Sequence, residues 1–194
     1  MIIAKTSEIA HKAARKVRIR YTNVKKPLIN IKDVISMEDR VSSDPVGDPI
    51  IDGDVEEEFS TGAEVVTGEV QFGSQYHFHI ETQTCLVTPE EDGVRVISTT
   101  QYMDVVQKTV AGVLNIKESD VNITVRRLGG AFGGKISQPN HVAAACAVAA
   151  NKLRRPVRMR MDLRANMEML SKRLPYLVKY KASVDSEKKL TGEQ

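Results

Sequence analysis

The chain has 194 residues, 41% hydrophobic and 27% charged, an ordinary globular composition that fits one sizeable domain or two small ones. Its 28 basic residues stand against 25 acidic ones for a net charge of +3, so the balance gives no ground for a nucleic-acid surface or an acidic tail. No apolar run approaches a membrane span and the N-terminus lacks the layout of a secretory signal, so the expectation is a cytoplasmic protein that contacts neither nucleic acid nor membrane.

In chain order, MIIA reads as a strand already in progress. SEIAHKAARKV is an amphipathic helix with Ile9, Ala10, Ala13 and Val17 at helical spacing and Ser7 as N-cap, and RIRY is a second strand. Pro27 closes that unit. Residues 40–60, RVSSDPVGDPIIDGDVEEEFS, combine Asp, Gly, Pro and Ser without periodicity and read as an irregular linker, with the acidic run from Asp52 to Glu58 as a solubilising loop.

Beyond residue 63 the texture changes. AEVVTGEVQF, QYHFHIETQTCLVTP and GVRVIST read as strands with turns at Gly73-Ser74 and from Glu90 to Gly93. YMDVVQKTVAGVL is a helix with Val105, Val106, Val110, Val113 and Leu114 on one face, ended by Asn115. VNITVRRL alternates as a strand, and NHVAAACAVAANKL is a helix whose small residues permit close packing. PVRMRMD turns Val157, Met159 and Met161 one way, MEMLSKR is a short helix, YLVKYKASVD is a last strand and LTGEQ is turn-like. Strands and helices interleave without repeats, which suits an α+β fold of mixed α/β layers. The abrupt ends read as those of a piece of a larger protein.

Cys85 and Cys146 lack a CxxC or a histidine at ligand spacing, so they support neither a zinc site nor a disulfide framework and fit a reducing compartment. The basic run KLRRPVRMRMDLR has no interleaved aromatic residues and reads as a solvated edge. His77, His79 and Glu81 in HFHIE alternate on one strand face. His-x-His is a recurrent metal-ligand spacing, but no further ligand is identifiable and a hydrogen-bonded strand face accounts for the same residues. Gln101 follows ISTT at a strand end before a helix, where a ligand contact and a helix-capping role are both expected.

RRLGGAFGGKISQPN sets Gly129, Gly130, Gly133 and Gly134 around Phe132, between a strand and a helix. Backbone N–H groups in such a place hold anionic ligands. Gly129, Gly134 and Lys135 fit a P-loop, yet Ile136 stands where a hydroxyl must reach Mg²⁺ and Ser137 is one residue late. A tight turn against another backbone accounts for one or two glycines. Four around an aromatic residue favour a bound group that requires bare backbone.

Taken together, AKTSEIAHKAARKVRIRY, GDVEEEF, GEVQFGSQYHFHIETQTCLVTP, ISTTQ, VNITVRRLGGAFGGK, the alanine-rich helix, RPVRMRMDLRANM and KRLPYLVKYKASVD resemble the molybdenum-cofactor portion of the xanthine dehydrogenase and aldehyde oxidase flavoproteins. The resemblance implies that residues 1–39 end an α/β hammerhead region. Residues 40–63 would be a linker, and 64–194 the first molybdopterin-binding domain, incomplete at its C-terminus. It implies oxidation of an aldehyde or N-heterocycle with oxygen taken from water. Electrons would pass from Mo-molybdopterin through two 2Fe-2S clusters and FAD to oxygen or NAD, in a homodimer that includes the remaining domains of a parent chain.

By the same resemblance, Gln101 hydrogen-bonds the molybdenum's oxygen ligand, and Phe132, Gly133 and Gly130 place backbone N–H groups against the metal centre and pterin, with Ala131 where glycine is frequent. Ile136 lies in the substrate pocket. Purine-oxidising members carry a glutamate there and aldehyde-oxidising members an apolar residue, so aldehyde oxidase is favoured over xanthine dehydrogenase. The metal is held by the cofactor's sulfurs, so no residue here is a direct ligand. The family's catalytic glutamate lies downstream in a G-x-G-E setting, so these residues alone are expected to be inactive. A P-loop-like nucleotide binder and a non-catalytic interaction module are the competing readings.

Overall fold

A computed structural model describes residues 1–37, 39, 47–61 and 64–194; residues 40–46 and 62–63 of the expected linker lie outside the described residues. The chain forms two compact units, residues 1–21 with 76–173 and residues 22–75 with 174–194.

The first unit is built on a four-stranded sheet in the order β4-β3-β2-β5, made of β2 (Thr84–Glu90), β3 (Gly93–Ser98), β4 (Val121–Thr124) and β5 (Val157–Arg160). β2 and β3 form a hairpin that pairs Cys85 with Ser98, and β5 runs antiparallel along the other side of β2. β4 lies parallel to β3, a pairing that requires a crossover, which α4 (Met103–Leu114) supplies. α5 (Pro139–Leu153) packs beside α4 and over β2.

Alternation decides which residues meet. β3 buries Val94, Val96 and Ser98 and exposes Arg95 and Ile97. Val87 and Val96 face Val106 and Val110 of α4 and the alanines of α5 in one cluster, and burial of each such valine contributes about 1.5–3 kcal/mol. Asn115 ends α4 in the left-handed conformation, as its position after the apolar stripe foretells. Pro139 occupies the first turn of α5, where its missing N–H leaves no bond unmade.

Several expected elements differ. α1 (Ser7–Ala14) forms, but its N-cap is Thr6, whose hydroxyl accepts the Ile9 N–H at 3.3 Å, and none of its residues is buried. MIIA and RIRY are not strands, because among the described residues no strand pairs with them. α6 (Leu163–Met169) starts ahead of MEMLSKR, at Asp162, whose carboxylate accepts the Ala165 N–H at 2.7 Å.

The second unit is an antiparallel sheet in the order β1-β6-β7, from β1 (Glu64–Phe72), β6 (Tyr176–Val184) and β7 (Leu190–Glu193), with α2 (Ile31–Ile35) and α3 (Val55–Thr61). The acidic run is not a loop. Asp54 Oδ1 accepts the N–H groups of Glu56 and Glu57 at 3.1 and 3.2 Å, and the three glutamates then sit in the first turn of α3, where the helix dipole favours negative charge. α3 buries Phe59, whose ring carries Lys181 Nζ at 3.9 Å. LTGEQ is also not a turn, since it contains β7, paired with β6.

Candidate functional site

The glycine loop links β4 to α5 within the first unit. Gly130, Phe132 and Gly133 have φ of +81°, +51° and +89°, and the turn closes through Gly134 N–H donating to Ala131 O at 2.8 Å. Among the described residues nothing accepts the amides of Gly130, Ala131 or Phe132. Successive unpaired N–H groups of this kind form an anion-binding concavity. A bulky side chain in the left-handed region costs about 1–2 kcal/mol, and Phe132, 72% exposed, does not recover that by packing.

Two of the four glycines serve the protein's own packing, not a bound group as expected from the sequence. A Cβ on Gly129 would lie 2.6 Å from Glu81 Cβ, and one on Gly134 would lie 2.8 Å from His77 Cγ. The neighbour is HFHIE, which is not a strand. Phe78 takes φ +51° and the segment lies irregularly across the glycine loop, so His77, His79 and Glu81 do not share a ladder face. His79 is buried and its Nδ1 donates to Glu81 O at 2.7 Å. Burial first, then the charges of His79 and Arg173, hold the His77 imidazole below its ordinary value. Among the described residues no three His, Cys, Asp or Glu side chains are grouped to hold a metal ion.

Gln101 ties the loop to the end of β3. Its Oε1 accepts the N–H groups of Gly133 and Lys135 at 3.1 and 3.2 Å, and its own N–H donates to Lys135 O at 2.8 Å. Both acceptor directions of the carboxamide oxygen are thus used, and the Nε2 donor has no protein partner among the described residues. Gln101, Gly130, Phe132 and Gly133 are brought together, although the Gly133 amide is given to Gln101. Ile136, 44% exposed, sits at the loop's far end.

Lys135 does not point out as a P-loop lysine must. Its side chain is fully buried, with Nζ 2.7 Å from Glu81 Oε2, and α5 begins only at Pro139. Burial raises the Glu81 carboxyl, but hydrogen bonds from Lys135 and the Gly129 amide, with the Lys135 charge, outweigh it and leave the group below its ordinary value. A nucleotide-phosphate role for this lysine is excluded by that burial.

Three supports had no local sequence signal of their own. Gln83 is buried and its Nε2 donates to Gly134 O at 2.9 Å. Asn166 Oδ1 accepts the Gln83 N–H at 2.9 Å, while its Nδ2 donates to the Tyr76 hydroxyl. Thr100 Oγ1 lies 3.2 Å from Lys135 O.

A family model described as the molybdopterin cofactor-binding domain matches residues 40–194. The chain belongs to the molybdopterin cofactor-binding domain family. It is 40% identical over 196 residues to probable aldehyde oxidase 2 of Oryza sativa subsp. japonica, covering 99% of this chain and 14% of that protein. It is 38% identical over 192 residues to xanthine dehydrogenase of Calliphora vicina, covering 98% of this chain and 14% of that protein. The chain therefore spans about a seventh of the curated relatives it matches.

In fold, this molybdopterin-family chain is similar to quinoline 2-oxidoreductase from Pseudomonas putida 86, with a TM-score of 0.76 at 21% identity over 98% of this chain and 25% of that one. It is also similar to the aldehyde oxidoreductase from Desulfovibrio gigas, with a TM-score of 0.74 at 22% identity over 96% of this chain and 21% of that one. The residues present suit the family's cofactor. The unpaired amides at 130–132 and the free Gln101 Nε2 are donors only, the set that a group with negative charge on its oxygen and sulfur ligands requires.

Proposed function

We propose that these residues form the cofactor-contacting part of a molybdenum hydroxylase that oxidises aldehydes to carboxylic acids with water as the oxygen source. The observation that carries this reading is the run of unpaired amides at Gly130, Ala131 and Phe132 beside the Gln101 carboxamide, in a chain of the molybdopterin family. When bound, Mo-molybdopterin supplies the redox chemistry at the substrate carbon.

The chain's own residues bind and orient. Gln101 Nε2 would donate to the bound group while Oε1 keeps the loop in place, and the backbone donors of the loop would stabilise its negative charge without reorganising. Ile136 offers a heterocycle no hydrogen bond, so a purine edge would go unpaired there, whereas an aldehyde has no such edge to satisfy. In this reading the general base, the 2Fe-2S clusters and FAD come from other parts of a longer cytoplasmic, homodimeric polypeptide that delivers electrons to oxygen. Residues 1–39 close its hammerhead region and 64–194 open its first molybdopterin-binding domain. A purine-oxidising enzyme is the second reading, favoured by the 38% identity to a xanthine dehydrogenase.

The test is to express the full-length polypeptide that carries these residues and compare oxidation of an aromatic aldehyde with that of xanthine, for the natural chain and for Ile136→Glu. Aldehyde turnover by the natural chain, with purine turnover appearing only in the variant, is expected. Efficient xanthine oxidation by the natural chain would favour the second reading, and loss of neither activity on removing molybdenum would overturn both.

A further inference from the structure

We infer that Glu81 is a positioning residue whose carboxylate clamps the two ends of the glycine loop together and so sets the spacing of the amides at Gly130, Ala131 and Phe132. The inference rests on the reading that those amides meet the cofactor. One oxygen, Oε2, accepts both the Gly129 N–H at 2.9 Å and Lys135 Nζ at 2.7 Å, while the Glu81 N–H donates to Gly129 O at 3.2 Å. Gly129 opens the loop and Lys135 closes it.

The approach is close on the Gly129 side, where the missing Cβ is what admits the Glu81 stem. On the Lys135 side the whole side chain is buried, so its ammonium cannot exchange Glu81 for water. Gln101 fixes the same end of the loop through the Lys135 backbone. Between the two brackets lie three successive amides with no acceptor among the described residues, in backbone where Gly130 and Phe132 take positive φ. The pair also carries a charge argument. Lys135 neutralises a carboxylate that would otherwise stand beside the donors and repel an anionic ligand.

A clamp and a mere stabilising contact are separable because replacing both members of a buried ion pair by uncharged groups is frequently neutral for stability, whereas removing one alone is costly. Three variants of the full-length polypeptide serve: Glu81→Ala, Lys135→Met, and the double variant Glu81→Gln with Lys135→Met. Three readouts apply to each: thermal midpoint, amide hydrogen exchange over residues 129–133, and molybdenum content per chain by mass spectrometry. For Lys135→Met, which leaves Glu81 without its cation, the expectation is a lower thermal midpoint with loop exchange faster by about tenfold, the weight of one charge-assisted hydrogen bond, and molybdenum content reduced several-fold. The double variant should bring the thermal midpoint back towards the natural value yet recover only part of the other two losses, because glutamine carries no charge and still accepts the Gly129 N–H while the bridge to residue 135 stays broken.

Loop exchange and molybdenum content at natural levels in Glu81→Ala and Lys135→Met would overturn the clamp, and so would a double variant in which both return fully to natural levels together with the thermal midpoint, since the bridge to residue 135 is still missing there. A natural polypeptide that takes up no molybdenum would overturn the cofactor reading instead, and the exchange comparison would still decide the clamp.

Discussion

Gln101 Oε1 accepts the Gly133 N–H at 3.1 Å, so two residues that the sequence assigns to the cofactor are bonded to each other. The bond fixes which way the carboxamide faces. With the oxygen committed to Gly133 and Lys135, the nitrogen is the group left to donate outward.

That orientation predicts the outcome of Gln101→Glu. A carboxylate can still accept both loop amides, so the chemical denaturation midpoint should hold, while the outward donor is replaced by an acceptor. In the full-length polypeptide, molybdenum-dependent turnover should fall by a hundredfold or so, the scale of losing one preorganised donor. Full turnover in this variant would show that Nε2 donates to nothing that matters.

The glycines should separate by position. Gly134→Ala drives a methyl into the His77 ring and should cost about 1–3 kcal/mol, as overpacking does. Gly112→Ala, within α4 with open space around it, should instead stabilise by about 0.5–1 kcal/mol. Urea unfolding of the two variants reads the contrast directly, and equal midpoints would contradict the packing account.

His77 binds a proton less readily folded than unfolded. The stability tied to its neutral form is therefore complete above about pH 6.5, the ordinary histidine value, and is lost as pH falls through the lower folded value. Glu81 has the same sign deeper in the acid range, its contribution present above the ordinary carboxylate value and lost below the folded one. Proton NMR of the histidine ring should place the His77 midpoint below about 6.5; a midpoint at that ordinary value would mean that the ring is solvated rather than packed on the loop.

The two thiols meet in the core. Cys146 Sγ lies 3.9 Å from Cys85 O, and contact with Cys146 together with burial drives the Cys85 thiol far up. Neither side chain is accessible, so a thiol reagent at neutral pH should label neither cysteine until denaturant is added. Rapid labelling of the folded chain would contradict the core described above.

Where local pattern and tertiary pairing agree, the sequence was readable. The stripe of Val106 and Val110, the stop at Asn115 and the alternation of Val94 and Val96 each specify an element on their own. MIIA is apolar and RIRY alternates as plausibly, yet such a pattern makes a strand only where another strand supplies partners. LTGEQ looked like a turn because its partner, β6, is set by a bulged hairpin that composition does not encode. HFHIE was the informative failure. Its period of two was real, but Phe78 in the left-handed region breaks the extended backbone that alternation presumes, and only the fold shows that the segment packs on the glycine loop. The cofactor roles proposed for Gln101 and Phe132 come from family resemblance, whereas the Glu81–Lys135 pair joins positions far apart in the chain and had no local signature.

The account stands on an anionic ligand of the cofactor resting against the Gly130–Phe132 amides and the Gln101 carboxamide. Anomalous diffraction at the molybdenum edge, on crystals of the full-length polypeptide, tests this most directly. A molybdenum peak beside Gln101 and Phe132 is the predicted result. A fully occupied peak elsewhere, with those amides facing solvent, would contradict it.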